Sequence, residues 1–306
     1  VSRLPFRLDT AQFCAIIQIK EMPKKNKQTL SVTLATYADD DPFLEGCLSS
    51  VAGLADELII VLGGESALTE KLAKKYGASL TKTTNPPIFH INKDKANRLA
   101  TCDWVLQIDT DERVTKELKT DINNLLLGKS FGSNTWISPL KSFYKKSKLL
   151  TEPASAYYLP RKNYFLDRYL KHCGQYPDPV IRLFRREKAV LPAKNVHEQM
   201  RVDGSVGWIR GELDHVTNQD FSRYLSRENV YSTHRAKELY VEKVPVTVSN
   251  TINYLFLKPL FTFCLLFFRY RGFMDGFPGF VFSLYSGFHH AFSYMKLWEL
   301  YRQNEK

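Results

Sequence analysis

The residues with the clearest chemical potential stand together at Asp109-Thr110-Asp111-Glu112, directly after the apolar run Trp104-Val105-Leu106-Gln107-Ile108. Two carboxylates one residue apart at the end of a buried strand leave a sheet together and can share a divalent cation. A hard ion such as Mg²⁺ or Mn²⁺ takes oxygen ligands and bridges them to phosphate oxygens. Its charge offsets the charge that builds on a departing diphosphate. The same spacing also arises in acidic turns, so the pair acquires meaning only from the elements that position it.

Those elements alternate. Leu30 to Thr36 reads as a β-branched, apolar strand, and Pro42 to Ala52 has helical spacing through Phe43, Cys47, Leu48 and Val51. Glu57 to Leu62 is a second strand, and a helix from Ala67 to Tyr76 stops at Gly77. Ser79 to Thr83 gives a third strand, Lys93 to Ala100 a polar helix, and Trp104 to Ile108 the strand that carries the acids. This order predicts an α/β fold with a mostly parallel sheet and helices on both faces. Such sheets bind ligands beyond the C-terminal ends of their strands. From Trp136 to Glu212 the pattern is irregular and rich in aromatic, Pro and basic residues, a place for acceptor-binding loops. Phe221 to Val241 reads as a polar amphipathic helix.

With 306 residues the chain has room for one large domain plus an appendage. The net charge of +11 suits an anionic partner, whether nucleic acid, acidic headgroups or a diphosphate. No groove-reading motif or zinc spacing is present, so nucleic acid is not the expected partner. The five cysteines are scattered without metal-ligand spacing, which fits a reducing compartment. Residues 1–28 read as a leader of unknown role, 29–240 as the catalytic domain and 241–306 as an aromatic-rich amphipathic helical tail. In that tail Tyr254 to Phe268 is apolar except for Lys258, Pro259 and Thr262, and its 15 residues are short for a bilayer span of about 20. Phe280 to Trp298 again has helical spacing. Dense Phe, Tyr and Trp with Arg269, Arg271, Lys296 and Arg302 is the composition of helices lying in a headgroup layer, so an anionic membrane surface is the expected partner. Packing on the catalytic domain, or a homodimer through the tail, is the alternative.

The run Asp103-Trp104-Val105-Leu106-Gln107-Ile108-Asp109-Thr110-Asp111-Glu112-Arg113-Val114 resembles the signature of glycosyltransferase family two. Ile181 to Arg186, Val196-His197-Glu198, His215, Lys258-Pro259 and Gly272 to Gly279 are similar to the branch related to lipopolysaccharide-core glycosyltransferases, so the likeness runs over residues 29 to 300. It implies a GT-A nucleotide-sugar-binding fold and an inverting transfer, from a metal-bound nucleotide-sugar (a UDP-sugar) to a glycan or glycolipid acceptor in bacterial envelope synthesis. The enzyme would be cytoplasmic, peripheral on the inner face of the plasma membrane. Carried over, Asp109 and Asp111 are the metal and diphosphate site, with His215 a further metal ligand or diphosphate contact. Glu198 or His197 is the general base that takes the acceptor's proton. Asp40, Asp41, Glu65, Lys95, Asn97 and Arg182 are donor-binding candidates, with Asp94, Arg98, Arg185 and Arg186 beside them. Two departures stand out: Leu62 occupies the place of the aspartate that contacts the base, and Ala38-Asp39-Asp40-Asp41 replaces the usual Asn-Glu pair. A degenerate transferase acting as a membrane scaffold and a sugar nucleotidyltransferase are the competing readings. The latter normally needs a Gly-rich, basic loop after the first strand, and Ala38 to Pro42 is acidic and lacks glycine.

Overall fold

The structure, a computed structural model, describes residues 27–37, 41–86, 88–129, 154–192, 199–218 and 220–304. The first half is the expected alternation: β1 (Leu30–Thr36), α1 (Asp41–Val51), β2 (Glu57–Gly63), α2 (Ala67–Tyr76), β3 (Ser79–Thr83), α3 (His90–Leu99) and β4 (Trp104–Gln107). After β5 (Glu112–Val114) and α4 (Lys116–Leu126) come β6 (Ala156–Phe165), β7 (Arg168–Tyr169), β8 (Asp178–Arg185), β9 (Ala189–Val190), β10 (Arg201–Val202), β11 (Val206–Trp208) and β12 (Leu213–Asn218). Three long helices close the chain: α5 (Phe221–Val241), α6 (Val248–Arg269) and α7 (Gly276–Asn304).

Local chemistry explains the ends. Ser66 caps α2 by accepting from the Thr69 amide, and Gly77 ends it in the left-handed region at φ 67°, where a side chain would be strained. Thr115 and Asp220 cap α4 and α5 in the same way as Ser66. The main sheet runs β3-β2-β1-β4-β8-β6-β12-β5. Its first four strands are parallel, β8 is antiparallel to both β4 and β6, and β12 runs parallel to β6. Leu30, Val32 and Leu34 on one face of β1 meet Leu44, Leu48, Leu72 and Ile122 from α1, α2 and α4. On the opposite face Thr33 donates to Asn97 Oδ1 at 2.7 Å, which docks α3. Helices therefore cover both faces, and β1 and β4 are buried throughout, as parallel strands require.

Two expectations are corrected here. The stretch 136–212 is not irregular over its described part: β6 and β8 are central strands. Their arginines line the site, and Pro160 faces Pro179 in register, so the alternation of a half-buried strand is disguised. The apolar segment at 254–268 is part of a longer helix, 22 residues from Val248 to Arg269, because the helix starts upstream of the apolar run, where Thr247 caps it. The helix widens to π geometry over Asn253–Leu257, with Lys258 N–H bonded to Asn253 O, and the proline follows that wide turn.

Candidate active site

At the end of β4 the chain turns sharply. The Glu112 amide donates to Asp109 O at 3.0 Å, and the Asp109 amide donates to Glu112 Oε2 at 2.9 Å. The Val216 amide donates to Asp111 O at 2.8 Å, so the acidic turn is clasped between β4 and β12. The two aspartates then face different partners.

Asp109 is held by cations. Arg182 on β8 reaches its Oδ2 at 2.5 Å and Glu112 at 2.8 Å, and Lys93 on α3 pairs with its Oδ1. Burial alone would raise the Asp109 pKa, but Arg182 and Lys93 outweigh it and hold the carboxyl far below the usual range. Burial likewise disfavours the Arg182 cation, and the two carboxylates reverse this and raise its pKa. Glu112 is wholly buried and also meets Arg161 at 3.3 Å; Arg161 in turn meets Asp178 at 2.5 Å. Arg182 Nε is buried without a hydrogen-bond partner among the described residues, beside a small cavity lined by His90, Lys93, Gln107, Tyr158 and Met200.

Asp111 faces the other way, toward β12. Thr217 Oγ1 donates to its Oδ2, and His215 Nε2 lies 3.3 Å from the same oxygen. Burial pushes the Asp111 pKa up, but hydrogen bonding with His215 and Thr217 leaves it well below normal. His215 Nδ1 lies 2.7 Å from Asn163 Oδ1, while Asn163 Nδ2 donates to Asp178 at 3.1 Å. Asn163 Oδ1 can only accept, so Nδ1 carries a ring proton, while Nε2 stands 2.6 Å from Thr217 Oγ1 as well as beside Asp111. A ring oriented by such a partner is what a metal-ligating histidine requires. Asp111 and His215 thus fit as two ligands of a divalent cation, and no cluster of three His, Cys, Asp or Glu exists among the described residues. Arg227 of α5 stands 3.9 Å from Asp111.

Of the residues expected from sequence, the structure brings Asp109, Asp111, His215 and Arg182 together. Asn97 does not join them, since its side chain supports β1. Lys95 is half-buried on α3, and Glu65 is exposed in the turn before α2. Asp94 pairs with Arg98 at 2.6 Å, and the Arg185 guanidinium lies 4.7 Å over the Trp104 ring. Leu62 is fully buried at the end of β2. Asp40, the Asp41 side chain, His197 and Glu198 lie outside the described residues. Sequence reasoning missed Lys93, Glu112, Arg161 and Asn163. Glu112 alone carried a signal, as a third acid abutting the motif.

No protein-family model matches the chain. It is similar to an uncharacterised glycosyltransferase of Rickettsia typhi, 25% identical over 269 residues that cover 88% of this chain and 86% of that protein. A second, from Rickettsia prowazekii, is 25% identical over 83% of this chain and 81% of its own length. A TPR repeat-containing protein of Synechococcus elongatus is 34% identical over 88 residues, and the match spans only 22% of its length. Among solved structures, a mannosyltransferase of Pyrobaculum calidifontis in complex with GDP-Man and Mn²⁺ aligns over 90% of this chain and 88% of its own, at 10% identity and a TM-score of 0.47. Residues 1–349 of TarS from S. aureus align over 90% of this chain and 92% of theirs, at 12% identity and a TM-score of 0.39.

Proposed function

We infer that this chain is a glycosyltransferase, one that takes a nucleotide-sugar and a divalent cation at the turn after β4. The observation that carries the reading is the pairing of Asp111 with His215, a histidine that Asn163 orients through Nδ1. Its likeness to the two Rickettsia glycosyltransferases extends over most of both chains and supports the same class. In this reading Asp111 and His215 would hold Mg²⁺ or Mn²⁺, whose charge would offset that of a leaving diphosphate. Lys93 and Arg182 keep Asp109 ionised and in place. A UDP-sugar is the proposed donor and an envelope glycan or glycolipid the proposed acceptor, transferred with inversion. His197 or Glu198 takes the acceptor proton.

The test is isothermal titration of a panel of nucleotide-sugars and free nucleotides with and without Mn²⁺, followed by assay of donor hydrolysis. Binding that needs Mn²⁺, together with slow hydrolysis of one donor, is the expected result. Mn²⁺-dependent binding with no turnover on any donor or acceptor would favour a degenerate scaffold. Absence of any nucleotide binding would overturn the reading.

A further inference from the structure

Helix α6 buries only one side. Tyr254 stacks on Tyr294 of α7 at 4.9 Å, Thr262 bonds His290 at 3.1 Å, and Phe263 meets Phe280 edge-on at 5.8 Å. The opposite side shows Ile252, Phe256, Leu260 and Phe261 at i, i+4, i+8 and i+9, with Phe261 68% exposed. The apolar surface continues round the turn to α7, where Phe277 is 71% exposed. From Val248 to Arg271 the charged residues are Lys258, Arg269 and Arg271, with no Asp or Glu. The next acid, Asp275, is buried and bonded to His172.

A continuous apolar and aromatic surface of this extent is not left to water on a soluble protein. A twofold copy pressed against it would bring the same acid-free cations to both sides, with no carboxylate to pair them. Anionic lipid provides hydrocarbon for the aromatics and phosphate for the arginines. At 22 residues, with an 18-residue window of mean hydropathy 1.6, α6 is long and apolar enough to cross a bilayer. Its attachments forbid that. At its start Tyr294 bonds Thr251 at 3.3 Å, and just past its end the Cys173 amide donates to Tyr270 O at 3.1 Å. Tyr294 and His290 belong to α7, which His289 ties to Glu228 and Lys296 to Asn229 of α5 (2.7 Å for the latter), so α6 cannot pass to the far side without breaking these polar contacts.

We propose that the outer face of α6 and the adjoining turn to α7 lie in the plane of an anionic bilayer's headgroup layer, without crossing it. This holds whether or not the transferase reading does. The test floats the full chain with vesicles of phosphatidylcholine and phosphatidylglycerol, and with phosphatidylcholine alone. The protein should float with the anionic vesicles, less well with the neutral ones, and be stripped by alkaline carbonate. Phe256→Glu with Phe261→Glu, at exposed positions, should leave the thermal melt cooperative and weaken partitioning by about tenfold or more. Arg269→Gln with Arg271→Gln should weaken it on anionic vesicles only. Failure of the parent chain to float overturns the proposal, as does resistance to carbonate. A chain that stays with neither vesicle but is a dimer, broken by the Phe256 and Phe261 substitutions, assigns the face to a second copy instead.

Discussion

Arg182 is a cation between two buried carboxylates, and removing it leaves Asp109 to Lys93 and Glu112 to Arg161 alone. Arg182→Ala should destabilise the fold by about 3–5 kcal/mol, the scale for breaking a buried pair from one side, as read from urea unfolding. Asp111→Asn should abolish Mn²⁺-dependent nucleotide binding in calorimetry while the chain still unfolds cooperatively. Unchanged metal dependence would remove Asp111 from the cation site. The acids also set the response to pH. Asp109 and Asp111 have folded pKa values below their unfolded ones, so their contribution is complete above the ordinary carboxylate value of about 4. It falls away as pH drops from there toward the depressed folded values. Urea midpoints measured between about pH 6 and pH 2 should decline below about 4, and Asp109→Asn should flatten that decline. The acidic pair itself was legible because its residue types and strand-end position are local facts. Lys93 was not, since nothing in the sequence of α3 distinguishes it from Lys95 until the helix is docked by Thr33 and Asn97.

At the scale of elements, legibility followed the strength of punctuation. Ser66 and Gly77 bracket α2, and both ends were readable from the residues alone. For β6 and β8 the period was obscured: Arg161, Asn163 and Arg182 point into a polar site where an apolar side chain would be the expected strand signal. For α6 the proline suggested a break that a π turn absorbs instead. The α6–α7 contact makes a sharp prediction. A Cβ built on Gly287 would sit 2.6 Å from Pro259 O, so no side chain fits between these helices. Gly287→Leu should force them apart and cost about 1–3 kcal/mol, seen as a lowered thermal midpoint; an unchanged midpoint would mean the contact is soft.

For the molecule as a whole, the terminal helices are part of what completes the α/β body. Phe165 at the end of β6 packs on Tyr224 of α5 at 4.9 Å and on Phe282 of α7 at 5.6 Å. A chain ending at Pro245 uncovers that cluster, and should aggregate and lose its cooperative melt; a soluble, cooperatively melting fragment would show the body to be self-sufficient. The aromatic composition of the tail was legible, but its packing on the rest of the protein was not, because the contacts join residues far apart in the chain. Asp275 is the clearest instance, taking the His172 amide at 2.8 Å and its ring nitrogen at 2.9 Å across a separation of 103 residues. On the ribosome that separation becomes a delay. At about 5–20 residues per second, His172 emerges roughly 5–20 s before its partner. Until then the segment after β7 stays unclamped, and the aromatic ends of β6 and α5 stay open to chaperones. The segment from Gly276 onward, made long after β6, is thus the one that covers the aromatic end of that strand.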